Sequence, residues 1–193
     1  MPQFPEPQAA RLLRFNVQII EQALSLVAEH ALPGRPAYAG PVGAHLRHVI
    51  EHHEALLFPA CTGVVDYDQR PRNRDVERSA GLARTRLVAL QARMASWTDA
   101  EANSPVTVHG QGGLSGEFGF VVESTLGREL AFVASHAVHH FALLQVHCTQ
   151  QGIATAADFG KAPATVAHER NSFPTDNPVS TKDASCNTSH LFG

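Results

Sequence analysis

Twelve of the 193 residues are histidine, and seven of them fall in two short stretches: His45, His48, His52 and His53, then His136, His139 and His140. Neutral imidazole is the commonest side-chain ligand for metal ions. Residues four apart on a helix lie one above the other, about 6 Å along the axis, so His136 and His140 can bite one ion. With His136 at zero on a helical wheel, His140 falls at about +40° and His139 at about −60°. In the earlier stretch His45 and His52 lie about 10 Å apart along the axis, too far to share an ion. His45 with His48, or His48 with His52, are the feasible pairs, and His48 belongs to both. His147 lies about 10 Å beyond His140 and is excluded in the same way. Three imidazoles from two helices leave a fourth position open, which is the pattern of a catalytic rather than a structural metal. The competing reading is that these histidines are core residues satisfied by hydrogen bonds.

Other metal motifs fail on inspection. His53-Glu54 is followed by Leu57 where a zinc-protease helix needs its second histidine. No glutamate has a histidine three positions on, as a di-iron bundle requires. Glu51 and Glu54 fall opposite His45 on the wheel and are expected in solvent. Glu129 lies in line with His136 and His140 two turns earlier, where it can support the site or contact substrate; a helix-dipole partner is the alternative. Tyr67, Asp68, Arg70 and Arg72 can contact substrate at the site's mouth or form a solvated ion-pair network. Cys148, about 80° from His140, reads as packed.

These residues need helices to position them. RELAFVASHAVHHFALLQVHCTQQ, residues 128–151, reads as one long helix with His136 and His140 in its apolar face. Leu13, Val17, Ile20, Leu24 and Val27 define a first helix from Gln8 that Pro33 and Gly34 end. Pro41 opens a second, Val42 to Phe58, with His45, His48 and His52 along its apolar arc. Residues 63–74 read as a polar connection. Val76, Ala80, Ala83, Leu87, Leu90, Met94 and Trp97 repeat 4-3 and predict one unbroken third helix, opened by Asp75 and Glu77. Residues 104–122 read as two short strands around a Gly-rich turn. Ser124 or Thr125 is placed to cap the last helix. After Gly152 the chain reads as a tail that first wraps the helices through Phe159 and is then irregular, which divides the sequence at 160/161.

The net charge of −3 gives no reason to expect nucleic acid as a partner. No stretch reaches the roughly 18 apolar residues of a membrane helix. MPQFPEPQAARLL lacks the charged and apolar regions of a secretory leader. Cys61, Cys148 and Cys186 have neither zinc-finger nor disulfide spacing. A cytoplasmic protein is expected.

HLRHVIEHH on the second helix, VVDYDQRPR after it, RELAFVASHAVHHFALL on the last helix and DFGKAP beyond it resemble the DinB-like superfamily, with its YfiT-type members, over about residues 10–160. The resemblance implies an all-α fold, an antiparallel four-helix bundle, here with a small β-hairpin inserted before the last helix. It places the family's three metal ligands on His48, His136 and His140, with His45, His52 and His139 as additional or alternative ligands. It implies one divalent ion: zinc or nickel, with manganese or iron as further choices. Characterised relatives are thiol-dependent transferases and isomerases, which implies a low-molecular-weight thiol and an electrophile as substrates. Phe141-Ala142-Leu143 departs from the Arg-Gly-Gln that often follows the last family histidine. A hydrolase using a metal-bound water, and a non-catalytic, stress-associated metal-binding scaffold, are the alternatives. A homodimer is compatible with all of these.

Overall fold

The computed structural model describes residues 7–58 and 62–172. The Pro-rich residues 1–8 read as a loose lead-in, and Pro59 with Gly63 as the stop of the second helix; residues 1–6, Pro59, Cys61 and the tail beyond residue 172 with Cys186 lie outside the described residues. The chain divides into two compact units, residues 1–162 and 163–193.

In the first unit four long helices do most of the packing: α1 (Gln8–His30), α2 (Pro41–Leu57), α4 (Ala80–Ala95) and α6 (Leu126–Gln150). They close a ring in which α1 and α2 each pack against both α4 and α6. The apolar stripes read from the sequence meet at its centre, where Ile20, Leu46, Ile50, Leu87, Leu130 and Phe141 are fully buried. Two short helices, α3 (Arg74–Arg78) and α5 (Asp99–Ala102), fill the connections.

The fold is not all-α. Strands β1 (Val64–Asp66), β2 (Pro105–Gly112) and β3 (Phe118–Thr125) form one mixed sheet in the order β1-β2-β3. The hairpin β2–β3 falls where alternation and the Gly-rich turn placed it, paired antiparallel from Pro105↔Thr125 to Gly112↔Phe118. The strand β1 overturns the expected class. Val64, Val65 and Asp66 run parallel to Thr107, Val108 and His109, and Val65 is fully buried. Three residues amid a polar connection show no period, and their partners lie some forty positions away.

The third helix is also corrected. It breaks at Ser79, whose backbone is extended (φ −117°, ψ 106°) and whose hydroxyl caps α4 by accepting from Leu82 N–H. Asn73 caps α3 in the same way through Asp75 N–H. The 4-3 repeat ran across the break because Val76 and Ala83 both end up fully buried. Asn73, Asp75 and Ser79 were the local signal of two starts.

Two glycines are fixed by close approach. A side chain at Gly43, in the first turn of α2, would overlap the Glu77 carbonyl at the end of α3. Gly160 has φ +72°, and a Cβ there would stand 2.5 Å from Ala142 N of α6. There the chain crosses back over α6 and lays Phe159 on Phe141, with ring centroids 4.9 Å apart and nearly parallel. The expected wrap through Phe159 is therefore present. In the second unit, residues 163–172, expected to be irregular, form helix α7 (Pro163–Ser172). None of its residues is buried.

No helix of the described residues is long and apolar enough to cross a membrane.

Candidate metal centre

The packing of α2 against α6 sets their two histidine rows face to face. Thr125 caps α6, accepting from Arg128 N–H, and so fixes where the helix begins; Ser124 turns instead to Glu129. One ligating nitrogen from each of His48, His136 and His140 lies within 4.8 Å of the others. The Nε2 atoms of His48 and His136 are 2.8 Å apart, and those of His136 and His140 are 3.2 Å apart. Nitrogens sharing one tetrahedral ion at 2.0–2.1 Å sit about 3.3 Å from each other. A slight spreading of the rings therefore makes room for an ion, and these three histidines could hold one. All three are half-buried.

The other histidines take different places. His45 sits behind the cluster, its Nδ1 2.7 Å from His140 Nδ1. When His140 donates that proton, its Nε2 lone pair is free for a metal, which is how an outer partner sets a ligand's tautomer. His52 has its Nδ1 2.7 Å from the His48 carbonyl, one turn earlier in α2. Its ring lies beside His48 and His136, with centroids 4.1 and 4.4 Å away. His139 is exposed and meets His140 edge-on. His53, read on the far side of the stripe, is fully buried between the Val49 carbonyl and Asn16 Oδ1.

Burial is the main cause that holds the site's imidazoles neutral. It pushes His48 down to about 2, with the charges of neighbouring histidines and Arg70 adding to it. His52 falls to about 3 and His140 to about 4, again chiefly through burial. His45 and His136 are lowered for the same first reason. An unfolded chain takes up protons at these positions near pH 6.5. The folded chain takes them up only at lower pH, so their contribution to stability is full above pH 6.5 and is lost as pH falls. Thermal melts of the metal-free protein are therefore expected to drop steadily from pH 6.5 to 5, above the main carboxylate range. His140→Gln should flatten that slope, and an unchanged slope would contradict this account of the site.

Around the cluster lies a second set of groups that sequence reasoning placed only in part. Tyr67 stacks on His52 at 5.6 Å and meets Phe132 at 5.2 Å. Its hydroxyl donates to Glu129 Oε2 at 2.7 Å, and burial followed by that carboxylate raises its pKa, so it stays a phenol. Glu129 is fully buried and also accepts from Ser124 and Arg128. It supports Tyr67 rather than pointing at the histidines. Asp68 faces the hairpin, accepting from Gln111 N–H at 2.8 Å.

Glu51 is a correction. Expected in solvent, it is 1% exposed. It accepts from Asn73 N–H at 2.7 Å, and its other oxygen faces Arg47 at 3.3 Å and Arg70 at 3.7 Å. Glu54 is also drawn in, paired with Arg86. The wheel failed because α3 packs on α2 from a second side.

Arg70 reaches His48 Nδ1 at 3.3 Å. A guanidinium can only donate. In this arrangement His48 carries its proton on Nε2, facing His136. Coordination through Nε2 needs the opposite tautomer, with Arg70 turned away. Arg70→Gln, which supplies an acceptor for Nδ1–H and removes a positive charge, should tighten metal binding by about tenfold. Competition titration with a chromophoric chelator reads this directly, and weaker binding would refute the tautomer argument.

No family model matches the chain, and no solved structure matches it. Among curated proteins it is similar to FK506-binding protein 5 of Rhizopus delemar, 29% identical over 118 residues. That alignment covers 60% of this chain and 31% of the relative, so the chain spans about a third of that protein's length.

Proposed function

We propose that the chain is a divalent-metal enzyme of the DinB-like kind, in which His48, His136 and His140 hold zinc or nickel and a low-molecular-weight thiol is activated for transfer to an electrophile. The observation that carries this reading is the convergence of three half-buried imidazoles from two helices, a donor set that leaves a fourth position for a substrate when it holds a tetrahedral ion. His45 and His52 are not among the histidines whose nitrogens converge; one nitrogen of each faces His140 and the His48 carbonyl instead. When bound, the metal would lower the pKa of a coordinated thiol so that it reacts as thiolate near neutral pH.

The chain's own residues supply the rest. His45 holds the tautomer of His140. Tyr67, fixed by Glu129 and stacked on His52, walls one side and keeps a phenolic proton. Arg70 is a cation beside His48, and an anionic group on either substrate would meet it there at the cost of its bond to Nδ1.

The test is spectroscopic. Cobalt-loaded protein titrated with small thiols should develop an intense thiolate-to-cobalt absorption band, absent in His136→Ala. Bound cobalt that answers to no thiol would sink the thiol-transfer reading while leaving the metal centre intact.

A further inference from the structure

We propose that β3 is a self-association edge, on which two copies of this chain pair their β3 strands antiparallel about Val121 into one continuous sheet. The strand is the outer member of the sheet and pairs with β2 alone. Its open side follows from the bonds of β2. Thr107 N–H is bonded to the Gly63 carbonyl, on the β1 side, at 2.8 Å. Amide direction alternates along a strand, so Val106, Val108, Gly110 and Gly112 are the β2 residues that address β3. They pair with Ser124, Val122, Phe120 and Phe118. The intervening residues Gly119, Val121 and Glu123 therefore turn their N–H and C=O groups outward, with no strand beyond them among the described residues.

Folded proteins usually blunt such an edge with lysine, proline, a bulge or a short strand. Here the strand has eight residues, FGFVVEST, with no lysine, arginine or proline, and its register with β2 is unbroken. Its side chains are apolar and open: Val121 is 63% exposed, Phe118 58% and Val122 48%. Phe118 and Phe120 are fixed in place, each lying over the glycine opposite it on β2, Gly112 and Gly110, where a side chain would overlap the ring. The rings cover backbone on their own hairpin and keep an outward surface for a second partner.

The sequence also selects a second copy as that partner. The outward residues are the odd-numbered ones, which limits an antiparallel self-pairing to a few registers. Centring on Phe120 sets Glu117 opposite Glu123 twice, and like charges facing each other repel. Centring on Val121 removes that conflict. Glu123 then faces Gly119, Glu117 faces Thr125, and Val121 meets its own copy. On the other face Phe120 lies opposite Val122 twice, an aromatic and β-branched pairing that stabilises sheets. A two-fold axis through Val121 satisfies the outward groups of Gly119, Val121 and Glu123 on both chains, as an isologous contact requires.

The experiment is the molecular mass of the full chain in solution by sedimentation equilibrium, with Val121→Pro and Val121→Lys beside it. Val121→Pro removes the central outward N–H, at an edge position where proline is tolerated. Val121→Lys leaves the backbone intact and sets two positive charges opposite each other. Wild type should approach twice 20.8 kDa, and both variants should return to 20.8 kDa with an unchanged circular dichroism spectrum. Val146→Lys, at an exposed apolar position of α6, should remain dimeric. A monomeric wild type would overturn the proposal, as would a dimer that survives both Val121 variants or is lost only in Val146→Lys.

Discussion

Replacing His136 by Ala is expected to weaken divalent-metal binding by more than about 100-fold, beyond the 10–100-fold that outer partners of a ligand carry. His136 is the hinge of the cluster. Its Nε2 is the atom that both His48 Nε2 and His140 Nε2 approach, at 2.8 and 3.2 Å. Without it the two remaining imidazoles come from different helices and lose the nitrogen that both approach. A graded series gives the comparison its force. His48→Ala and His140→Ala should behave like His136→Ala. His45→Gln, which removes only the support behind His140, should cost about 10–100-fold. The exposed His139, replaced by Ala, should bind as wild type does. Calorimetric titration with zinc reads the whole series, and a deficit at His139 equal to that at His136 would mean that the ion sits elsewhere.

The second large effect is on stability. Glu51→Ala is expected to cost about 3 kcal/mol, because it leaves buried donors without their acceptor. The carboxylate ties α2 to the segment before α3 through Asn73 N–H, and it neutralises Arg70, whose side chain is 9% exposed. Glu29→Ala provides the contrast. Its partner Arg35 lies 3.2 Å away, with both side chains about a third exposed, and such a pair contributes at most about 1 kcal/mol. Urea unfolding of the two variants beside wild type measures the difference. Equal losses would show that the Glu51 network is solvated and does not anchor Arg70.

What could be read in advance was what lies within one element. His136 and His140 share a helix, so their spacing alone fixed how they face, and Thr125 was visible as a cap. His48 could be singled out because it belonged to both feasible pairs on α2. The division of labour among its neighbours could not be read. Whether His45 ligates or sits behind His140 depends on how α2 rotates against α6, and no single-helix wheel contains that rotation. Glu51 was misplaced for a related reason: a wheel assumes one buried side, whereas α2 is covered by α6 and α4 on one side and by α3 on another. Its counter-charges, Arg47 one turn back and Arg70 across a loop, were in the sequence but unpaired on paper. The strand β1 was lost because parallel pairing joins residues far apart in the chain. Ser79 was lost because a helix break that keeps the apolar side in register leaves the period intact.

The centre itself is best tested by X-ray absorption on zinc-loaded protein prepared without an affinity tag. If His48, His136 and His140 hold the ion as proposed, three imidazole nitrogens are expected at about 2.0–2.1 Å with one exchangeable, non-imidazole ligand beside them. A shell of oxygens alone, or a fourth imidazole that persists when a small thiol is added, would contradict an open three-histidine centre.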